Sequence, residues 1–310
     1  MITKKIDAIT KIDKAHMGVD IPIPRAVKIE LTGRCNFSCS FCARGQNLRE
    51  VKDIDRDFFE RILREMRVAG VEEIGLFYLG ESFMVPWLPE AIQYAKDIGF
   101  PYVFLTTNGS LVTPEKAEAC MKAGLDSLKF SYNYSDGQQL KDIARVKPGY
   151  FDRIVNNMRE ASRIKEEGGY HCGLYASYIE YDGEQNERMK EAVKQIEPYM
   201  DEVYALPLYN QASLVKDLKE GWSYTAGNRG RLEALREPIP CWSVFTEGHI
   251  TWDGKLSACC FDHNDHFTMA DLNEVSFIGG WNSPEFRMLR KAHLSKDIQG
   301  TACESCVAYA

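Results

Sequence analysis

The sequence predicts an α/β fold in which a partial (βα)6 barrel of the TIM type is followed by a small C-terminal α+β domain. Three observations lead to this prediction. Strand patterns alternate with amphipathic helix patterns six times, and the strand starts lie about 25 to 47 residues apart, the size of a βα unit. Right-handed crossovers then curl the parallel strands into a partial barrel. Further on, an Asp-Gly turn between two short strand patterns predicts a separate hairpin.

The barrel elements follow one another in strict alternation. The predicted strands are Ala26–Leu31, Glu73–Tyr78, Tyr102–Leu105, Ser127–Tyr132, Cys172–Ile179 and Glu202–Leu206. The predicted helices are Arg56–Ala69, Leu88–Asp97, Pro114–Ala123, Tyr150–Glu167 and Asn186–Glu197. Proline opens the third of these helices and glycine closes most of them, as is typical of helix ends.

The remaining segments complete the domain organisation. Residues 1–25 are an N-terminal extension, 26–210 the barrel, 211–240 a polar linker and 241–310 the C-terminal domain. In that domain a hairpin joins Ser243–Ile250 to Lys255–Ala258, and a short helix covers Pro284–Leu294.

Composition and charge exclude several classes of protein. The chain has 310 residues, of which 45% are hydrophobic and 27% charged, as in an ordinary globular protein. It has no run of 18 apolar residues to span a membrane, and its N-terminus does not resemble a secretory signal. A formal charge of −7 gives no electrostatic reason to expect a nucleic-acid partner.

The ten cysteines fall into two groups at the ends of the chain, with two in between. The first group is Cys35, Cys39 and Cys42, and the second is Cys241, Cys259, Cys260, Cys303 and Cys306. Such spacing in a large chain predicts metal ligation in a reducing, cytoplasmic compartment rather than disulfides. Cys120 and Cys172 are predicted to be buried free thiols.

The first group has the spacing of a ligand set for an iron–sulfur cluster. Cys35-x3-Cys39-x2-Cys42 follows the first strand directly, in a loop. Three thiolates can hold three irons of a cubane and leave the fourth iron open for a substrate or cofactor. Zinc is the alternative, and it is disfavoured because structural zinc takes four closed ligands.

The segment C-N-F-S-C-S-F-C resembles the CxxxCxxC motif of the radical S-adenosylmethionine (SAM) enzymes. This resemblance implies that the open iron of a [4Fe–4S] cluster chelates the amino and carboxylate groups of SAM. Reduction then yields a 5′-deoxyadenosyl radical that abstracts hydrogen from the substrate. The resemblance also implies that Phe41 packs near the adenine, with an ordinary core aromatic as the alternative.

Further segments resemble that family in the expected order. Leu79-Gly80-Glu81 is similar to its Gly-Gly-Glu motif, which meets the SAM ammonium, with Leu79 replacing the first glycine. Thr107-Asn108-Gly109 is similar to its T-N-G turn. The resemblance also implies a ribose contact from Ser131 and Asn133, and a carboxylate contact from Arg145 unless that arginine is merely a surface residue. These positions follow strand ends, where barrel folds build their sites.

The second group predicts a closed auxiliary cluster. Its ligands are predicted to be Cys241, Cys259, Cys303 and Cys306, and a zinc-ribbon site is the alternative. The pattern resembles a SPASM domain, in particular the shorter twitch form with one auxiliary [4Fe–4S] cluster, as in 2-deoxy-scyllo-inosamine dehydrogenase. The sequence leaves open whether Cys259 or the adjacent Cys260 is the ligand. Cys260 is otherwise a buried thiol or a hydrogen-atom donor to substrate.

A few further polar and aromatic residues are candidates for the site. Glu180, at the end of the fifth strand, is predicted to face the pocket and contact a polar substrate. His263 and His266 are predicted to lie in a solvated loop, although a base or substrate contact is an alternative. Trp242 and Trp252 are predicted to pack around the auxiliary site.

The resemblance implies a radical SAM enzyme that acts on a small polar metabolite or natural-product precursor. The reaction is a candidate dehydrogenation in which the auxiliary cluster accepts an electron, and flavodoxin or ferredoxin is the expected reductant. Modification of a peptide is the alternative; it is disfavoured because only about 25 residues precede the first strand, too few for a peptide-recognition module. A non-catalytic zinc protein is a remote alternative, since it leaves the strand-end motifs unexplained.

Overall fold

The computed structural model describes residues 1–215, 223–225, 229–237 and 239–306, and within them one nine-stranded sheet organises the fold. The order of its strands is β6-β5-β4-β3-β2-β1-β7-β8-β9. The strands are β1 (Ala26–Ile29), β2 (Glu73–Gly75), β3 (Tyr102–Thr107), β4 (Ser127–Ser131), β5 (Gly173–Glu180), β6 (Glu202–Pro207), β7 (Glu247–Ile250), β8 (Lys255–Ser257) and β9 (Thr268–Asp271). The first six are parallel and consecutive, so the predicted partial (βα)6 barrel is confirmed.

Helices connect these strands close to the predicted positions. They are α1 (Ile2–Thr10), α2 (Arg56–Ala69), α3 (Leu88–Asp97), α4 (Pro114–Lys122), α5 (Gly137–Ala144), α6 (Tyr150–Gly168), α7 (Glu184–Val193), α8 (Phe277–Trp281) and α9 (Pro284–Ser295). The helix α5 was not predicted. Its start is capped by Asp136, whose carboxylate accepts a hydrogen bond from Gln139 N at 2.8 Å. No helix in the described part of the chain is long and apolar enough to cross a membrane.

The two faces of the barrel sheet differ in polarity. One face packs its buried apolar side chains against the helices: Val27, Ile29, Ile74, Val103, Leu105, Leu128, Phe130, Leu174 and Ala176. The opposite face, here called the lumen face, carries Lys28, Tyr102, Phe104, Lys129, Tyr175 and Ser177. Because side chains alternate along a strand, a residue's position in the register fixes its face.

The C-terminal domain continues the barrel sheet instead of standing apart from it. Strand β7 pairs in parallel with β1, with Val27 opposite Gly248 and Ile29 opposite Ile250. The predicted hairpin is present, since β7 and β8 pair antiparallel, and β9 adds a further antiparallel strand. Residues 243–246 at the predicted start of the hairpin lie outside strand β7.

The N-terminal helix α1 closes the amino-terminal end of the lumen. Glu202, on the lumen face of β6, accepts hydrogen bonds from Ile2 N at 2.6 Å and from the Thr3 hydroxyl. Lys5 pairs with Glu73 at 2.5 Å and lies 3.8 Å from the centre of the Tyr102 ring. Helix α1 of the extension is therefore packed against the barrel.

Parts of the predicted linker 211–240, namely residues 216–222, 226–228 and 238, lie outside the described residues, as do residues 307–310. In the described part of the linker, Thr225 pairs with Tyr209 in a parallel bridge. Thr225 N donates to Leu208 O at 2.7 Å, so this part of the linker runs beside the chain that leaves β6.

Candidate active site

The cluster loop, defined as residues 32–53, leaves the carboxyl end of β1 and returns to it. Thr32 and Asp53 form an antiparallel bridge, and Gly33 N donates to Lys52 O at 2.9 Å. On the far side, Ser38 N and Ser40 N donate to the carbonyls of Ala144 and Ile143 at the end of α5. The loop that carries Cys35, Cys39 and Cys42 is therefore fixed at both its base and its tip.

The three thiols of this loop are half-buried. Cys39 Sγ is 2.9 Å from the Tyr134 hydroxyl, and Cys35 Sγ accepts a hydrogen bond from Phe37 N at 3.5 Å. Burial raises the pKa of Cys35 to about 11 and also raises the pKa values of Cys39 and Cys42. Without a bound cation the thiols are neutral, and a metal centre would stabilise them as thiolates.

The donor set fits a cluster with one thiolate on each of three irons. Among residues 1–215, 223–225, 229–237 and 239–306, no three His, Cys, Asp or Glu side chains converge as ligands of a single metal ion do. Cubane thiolates bind separate irons and have no need to meet at one point. Cys35, Cys39 and Cys42 are the residues that would hold the cluster.

Gly80 lies directly against the backbone of the cluster loop. A Cβ atom built on Gly80 would lie 1.9 Å from Thr32 O and 2.7 Å from Arg34 O. The next residue, Glu81, donates its N–H to Arg34 O at 2.8 Å. The segment that resembles Gly-Gly-Glu therefore forms a close backbone cradle for the loop, and only glycine fits its second position.

Glu81 is only 2% exposed and joins the strand ends of β2 and β3. Its carboxylate accepts hydrogen bonds from the Thr107 hydroxyl at 2.9 Å, from Asn108 N at 2.8 Å and from Phe83 N at 3.1 Å. Burial raises its pKa, and these donors favour the charged form. The structure thus gives Glu81 a positioning role, whereas its contact with the SAM ammonium stays a prediction.

Asn108 connects the T-N-G turn to the cluster loop. Its side-chain amide donates to Asn36 Oδ1 at 2.9 Å and lies 3.9 Å from Cys35 Sγ. Asn36 in turn donates to Ser110 Oγ at 2.8 Å. Asn108 N also donates to Glu81 at 2.8 Å. The cysteine loop, the segment of Gly80 and Glu81 and the T-N-G turn therefore meet in one polar network beside Cys35.

The other predicted SAM contacts surround the same loop. Phe41 is half-buried and stacks on Tyr134, with ring centres 6.3 Å apart and an angle of 27° between the rings. Ser131, on the lumen face at the end of β4, and Asn133, two residues beyond it, are half-buried. Arg145 follows α5 in a left-handed conformation and is exposed. Their contacts with SAM stay predictions.

The second group of cysteines also comes together. Cys241, Cys259, Cys260, Cys303 and Cys306 line one cavity, together with Trp242 and Phe261. Cys241 N donates to His293 Nδ1 at 3.2 Å, and Cys306 N donates to Cys303 O at 3.0 Å. Burial raises the pKa of Cys241 and of Cys303. Since Cys259 and Cys260 both face this cavity, the choice between them as ligand stays open.

Two contacts that no local pattern predicts join the C-terminal domain to the barrel near the two cysteine centres. Glu30, fully buried after β1, accepts hydrogen bonds from Arg49 of the cluster loop and from Trp252 N at 3.1 Å. The Tyr78 hydroxyl donates to Cys259 O and accepts from Asp262 N at 3.3 Å. The hairpin is therefore held beside the first cluster loop through Glu30, and the segment of Cys259 is held against the end of β2 through Tyr78.

Several predicted positions require correction. Trp252 packs on the cluster loop, where its indole N–H donates to Glu50 O at 3.2 Å, and not around the auxiliary cavity. His263 is buried and lies 2.7 Å from Gln211 Oε1, so the prediction of a solvated histidine was wrong. His266 is exposed, whereas Cys120 and Cys172 are buried, as predicted.

The prediction that Glu180 faces the pocket was also wrong. Its register on β5 places it on the same face as Ala176 and Tyr178, opposite to the lumen residue Ser177. It is exposed, and its carboxylate accepts a hydrogen bond from Asn186 at 3.4 Å. The structure gives Glu180 no place among the groups that face the lumen.

Charged groups inside the lumen are the functional candidates that sequence reasoning missed. Lys28 pairs with Glu247 at 2.8 Å, and His249 Nε2 lies 2.9 Å from the same carboxylate. Lys129 lies on the lumen face of β4, opposite Tyr175 of β5. The available signal was a lysine at the centre of each apolar strand segment, AVKIEL and SLKFSY.

Comparison with known protein families agrees with this arrangement. Residues 29–196 match the Radical SAM superfamily, and residues 241–307 match the SPASM iron–sulfur cluster-binding domain. A probable GTP 3′,8-cyclase of Methanothermobacter marburgensis is 30% identical over 129 residues, which are 42% of this chain and 41% of that protein. A PqqA peptide cyclase of Bradyrhizobium diazoefficiens is 31% identical over 146 residues, which are 47% of this chain and 35% of that protein. The chain thus spans less than half of either relative's length.

Solved structures share the fold at low sequence identity. BtrN in complex with AdoMet and 2-DOIA has a TM-score of 0.61 and 14% identity, and the match covers 92% of this chain and 93% of that one. SuiB of Streptococcus suis bound to the precursor peptide SuiA has a TM-score of 0.68 and 15% identity, with coverages of 93% and 71%. At sequence identities this low, the two comparisons show a shared fold and nothing about the substrate.

The superfamily match extends over more than half of the chain and contains the three cysteines, the Gly80 cradle and the Asn108 turn. The second match contains the five cysteines of the auxiliary cavity. This chain is therefore an enzyme of the Radical SAM superfamily with a C-terminal SPASM domain, and its cofactors are SAM, a SAM-binding [4Fe–4S] cluster and an auxiliary iron–sulfur cluster.

Proposed function

We propose that this enzyme removes a hydrogen atom from a small polar metabolite or natural-product precursor bound in the barrel lumen, in a dehydrogenation. The observation that carries this proposal is the position of the lumen. Its polar face opens at the strand ends where the cluster loop lies, and the auxiliary cavity is joined to the same edge through Tyr78. A substrate in the lumen would therefore lie beside the first cysteine centre, and the auxiliary cysteines lie at the same edge of the sheet.

The residues of the chain have distinct tasks in this proposal. When bound, SAM and its cluster supply a 5′-deoxyadenosyl radical at the mouth of the lumen. Gly80 lets the cluster loop approach the β2 end, and Asn108 fixes the loop through Asn36. The Tyr134 hydroxyl is placed to donate to the sulfur of Cys39. Phe41, Ser131, Asn133 and Arg145 are proposed to contact SAM.

The auxiliary centre is proposed to receive the second electron of the oxidation. Loss of a hydrogen atom leaves a substrate radical, which completes a dehydrogenation when a proton goes to a base and an electron to an acceptor. Cys241, Cys303, Cys306 and either Cys259 or Cys260 would hold that acceptor, because they line one cavity. Burial and hydrogen bonding adjust the potential of such a cluster. Flavodoxin or ferredoxin is proposed to reduce the first cluster.

Modification of a peptide is the second candidate function. It is supported by the 31% identity to a PqqA peptide cyclase and by the fold shared with SuiB bound to its precursor peptide. A small substrate is favoured by the lumen, which α1 closes at one end and which is lined by charged groups suited to a compact polar molecule. BtrN, whose structure contains 2-DOIA, matches this chain over nearly the whole length of both proteins.

The test of this proposal is transfer of deuterium. Reconstituted enzyme is incubated anaerobically with dithionite, SAM and deuterated candidate substrates, and the 5′-deoxyadenosine formed is analysed by mass spectrometry. We expect deuterium in 5′-deoxyadenosine from a small polar substrate, together with a product three mass units lighter than the singly deuterated substrate, or two units lighter when the substrate is unlabelled. Transfer only from a peptide would establish the second candidate, and an unchanged oxidation level in the product would contradict the dehydrogenation.

A further inference from the structure

The lumen face of the sheet carries two lysines. Lys28 lies on β1 and Lys129 on β4, and each shares its face of the sheet with aromatic and hydroxyl side chains. Lys129 precedes Ser131, at the end of β4, by two residues, which is about 7 Å along a strand. Its side chain is thus within its own length of the strand ends where the cluster loop lies.

The two lysines differ in their partners. Lys28 is neutralised by Glu247 at 2.8 Å, and its side chain is 20% exposed. Glu247 also lies 2.9 Å from His249, which is fully buried, and burial lowers the pKa of that histidine. The single carboxylate of this group therefore already balances Lys28.

Lys129 has no ion pair or hydrogen bond through its side chain within the residues that the structure describes. The other lumen carboxylates are occupied at the closed end, where Glu73 pairs with Lys5 and Glu202 accepts from α1. Lys28 acts on Lys129 as a like charge and lowers the pKa of Lys129. The lumen thus carries one uncompensated positive charge near its mouth.

Lys129 is half-buried. An uncompensated charge in a partly desolvated place costs free energy, and such a cost is retained where function requires it. Burial and Lys28 lower the pKa of Lys129 to about 8, which records this cost. An anion bound against the amine would remove the cost and restore the ordinary pKa. A neutral ligand would leave this free-energy cost unchanged, and a cationic ligand would increase it.

We infer that the substrate carries an anionic group, a carboxylate or a phosphate, and that Lys129 Nζ binds this group inside the lumen. The inference rests on the proposed function, since it assigns the charge of the molecule that function requires. It separates anionic substrates from neutral polyols and from amines that lack an acid group. Tyr175 of β5 lies opposite Lys129, and Ser177, two residues further along β5, lies on the same lumen face.

The test measures how fast Lys129 of the holoenzyme is acetylated. Acetic anhydride is added at limiting concentration and pH 8 in the presence of malonate, inorganic phosphate or sodium chloride at equal ionic strength. The modification of each lysine is then read by mass spectrometry. Exposed Lys4 is the internal control, because it has no place in the lumen. The malonate and phosphate arms distinguish a carboxylate site from a phosphate site.

We expect malonate or phosphate to slow the acetylation of Lys129 about fivefold or more, as for a site about 80% occupied, with Lys4 unchanged. Equal rates in the three salts would overturn the inference. A Lys129 that is never acetylated would also overturn it, because such a side chain is closed to lumen solvent. This readout needs no SAM cleavage, so a failure of the proposed function would leave it intact and would be recognised separately.

Discussion

The carboxylate of Glu30 and the guanidinium of Arg49 form a buried ion pair, with Arg49 Nη2 at 2.7 and 2.5 Å from the two carboxylate oxygens. The side chains are 0% and 8% exposed. Glu30 follows β1 and Arg49 belongs to the cluster loop, while Trp252 N of the C-terminal hairpin donates to the same carboxylate. One carboxylate therefore holds together the barrel, the first cluster loop and the SPASM domain.

Removal of this pair should be far more damaging than removal of an exposed pair on the same loop. Arg49→Met leaves Glu30 buried without its partner, which costs about 3–5 kcal/mol in the free energy of unfolding. Arg34→Met is the control, because its pair with Asp53 is 41% and 38% exposed and should be worth less than about 1 kcal/mol. Urea unfolding of both variants measures the difference, and equal losses would contradict the role assigned to Glu30.

A methyl group at Gly80 should displace the cluster loop. The Cβ of Gly80→Ala would lie 1.9 Å from Thr32 O, so the backbone must move. We expect the variant to lose most of the iron of the first cluster and about 1–3 kcal/mol in the free energy of unfolding. Gly149→Ala is the control, since a Cβ there meets nothing within 4 Å. Iron content near the wild-type value in Gly80→Ala would show that the cradle is not required.

The Tyr134 hydroxyl should tune the first cluster. It lies 2.9 Å from Cys39 Sγ, and hydrogen bonds to cluster sulfurs raise the reduction potential. Tyr134→Phe is therefore expected to make the potential of this cluster more negative, without change in iron content. Tyr132→Phe is the control, because that hydroxyl donates to Ala192 O. Potentiometric titration followed by electron paramagnetic resonance measures both variants, and equal potentials would contradict the assignment.

The uncompensated charge of Lys129 should be visible in the pH dependence of stability. The folded protein lowers the pKa of Lys129 from 10.5 to about 8, so between these values the unfolded chain binds a proton that the folded chain has lost. Wild-type stability therefore gains with rising pH in that window. Lys129→Met should be more stable than wild type at pH 7 by about 1–3 kcal/mol in anion-free buffer. That advantage should disappear by about pH 10.5.

The control for this prediction is Lys4→Met, which removes an exposed lysine and should follow the wild-type profile at every pH. Denaturant unfolding from pH 7 to pH 10.5 gives the three profiles. Parallel curves for wild type and Lys129→Met would mean that Lys129 is solvated in the folded state.

Local patterns predicted the barrel well because its helices are amphipathic and clearly capped. The bounds of α2 coincide with the prediction, since Asp55 caps its start and Gly70 adopts a left-handed conformation at its end. The helix α5 was missed because it is only eight residues long. The pairing of β7 with β1 joins residues more than 200 positions apart, and no local pattern records such a contact.

The cysteine sets and strand-end motifs could be predicted because each is a short segment with its own spacing. The face of a strand could not be predicted when both faces include polar groups. On β5, Ser177 and Tyr178 are adjacent and both carry hydroxyls, so the alternation alone did not show that Glu180 points away from the lumen. The buried pair of Glu30 and Arg49 gave no signal, because charged residues are normally predicted to be exposed.

The most direct test of the central claim is the iron content and SAM cleavage of two sets of cysteine variants. Wild-type enzyme, reconstituted anaerobically, should hold about eight irons and release 5′-deoxyadenosine from SAM with dithionite. Replacing Cys35, Cys39 and Cys42 by Ala should leave about four irons and abolish that release. Replacing Cys241, Cys303 and Cys306 should also leave about four irons, but should spare SAM cleavage. Eight irons in the first variant, or zinc in place of iron in the wild type, would contradict the account.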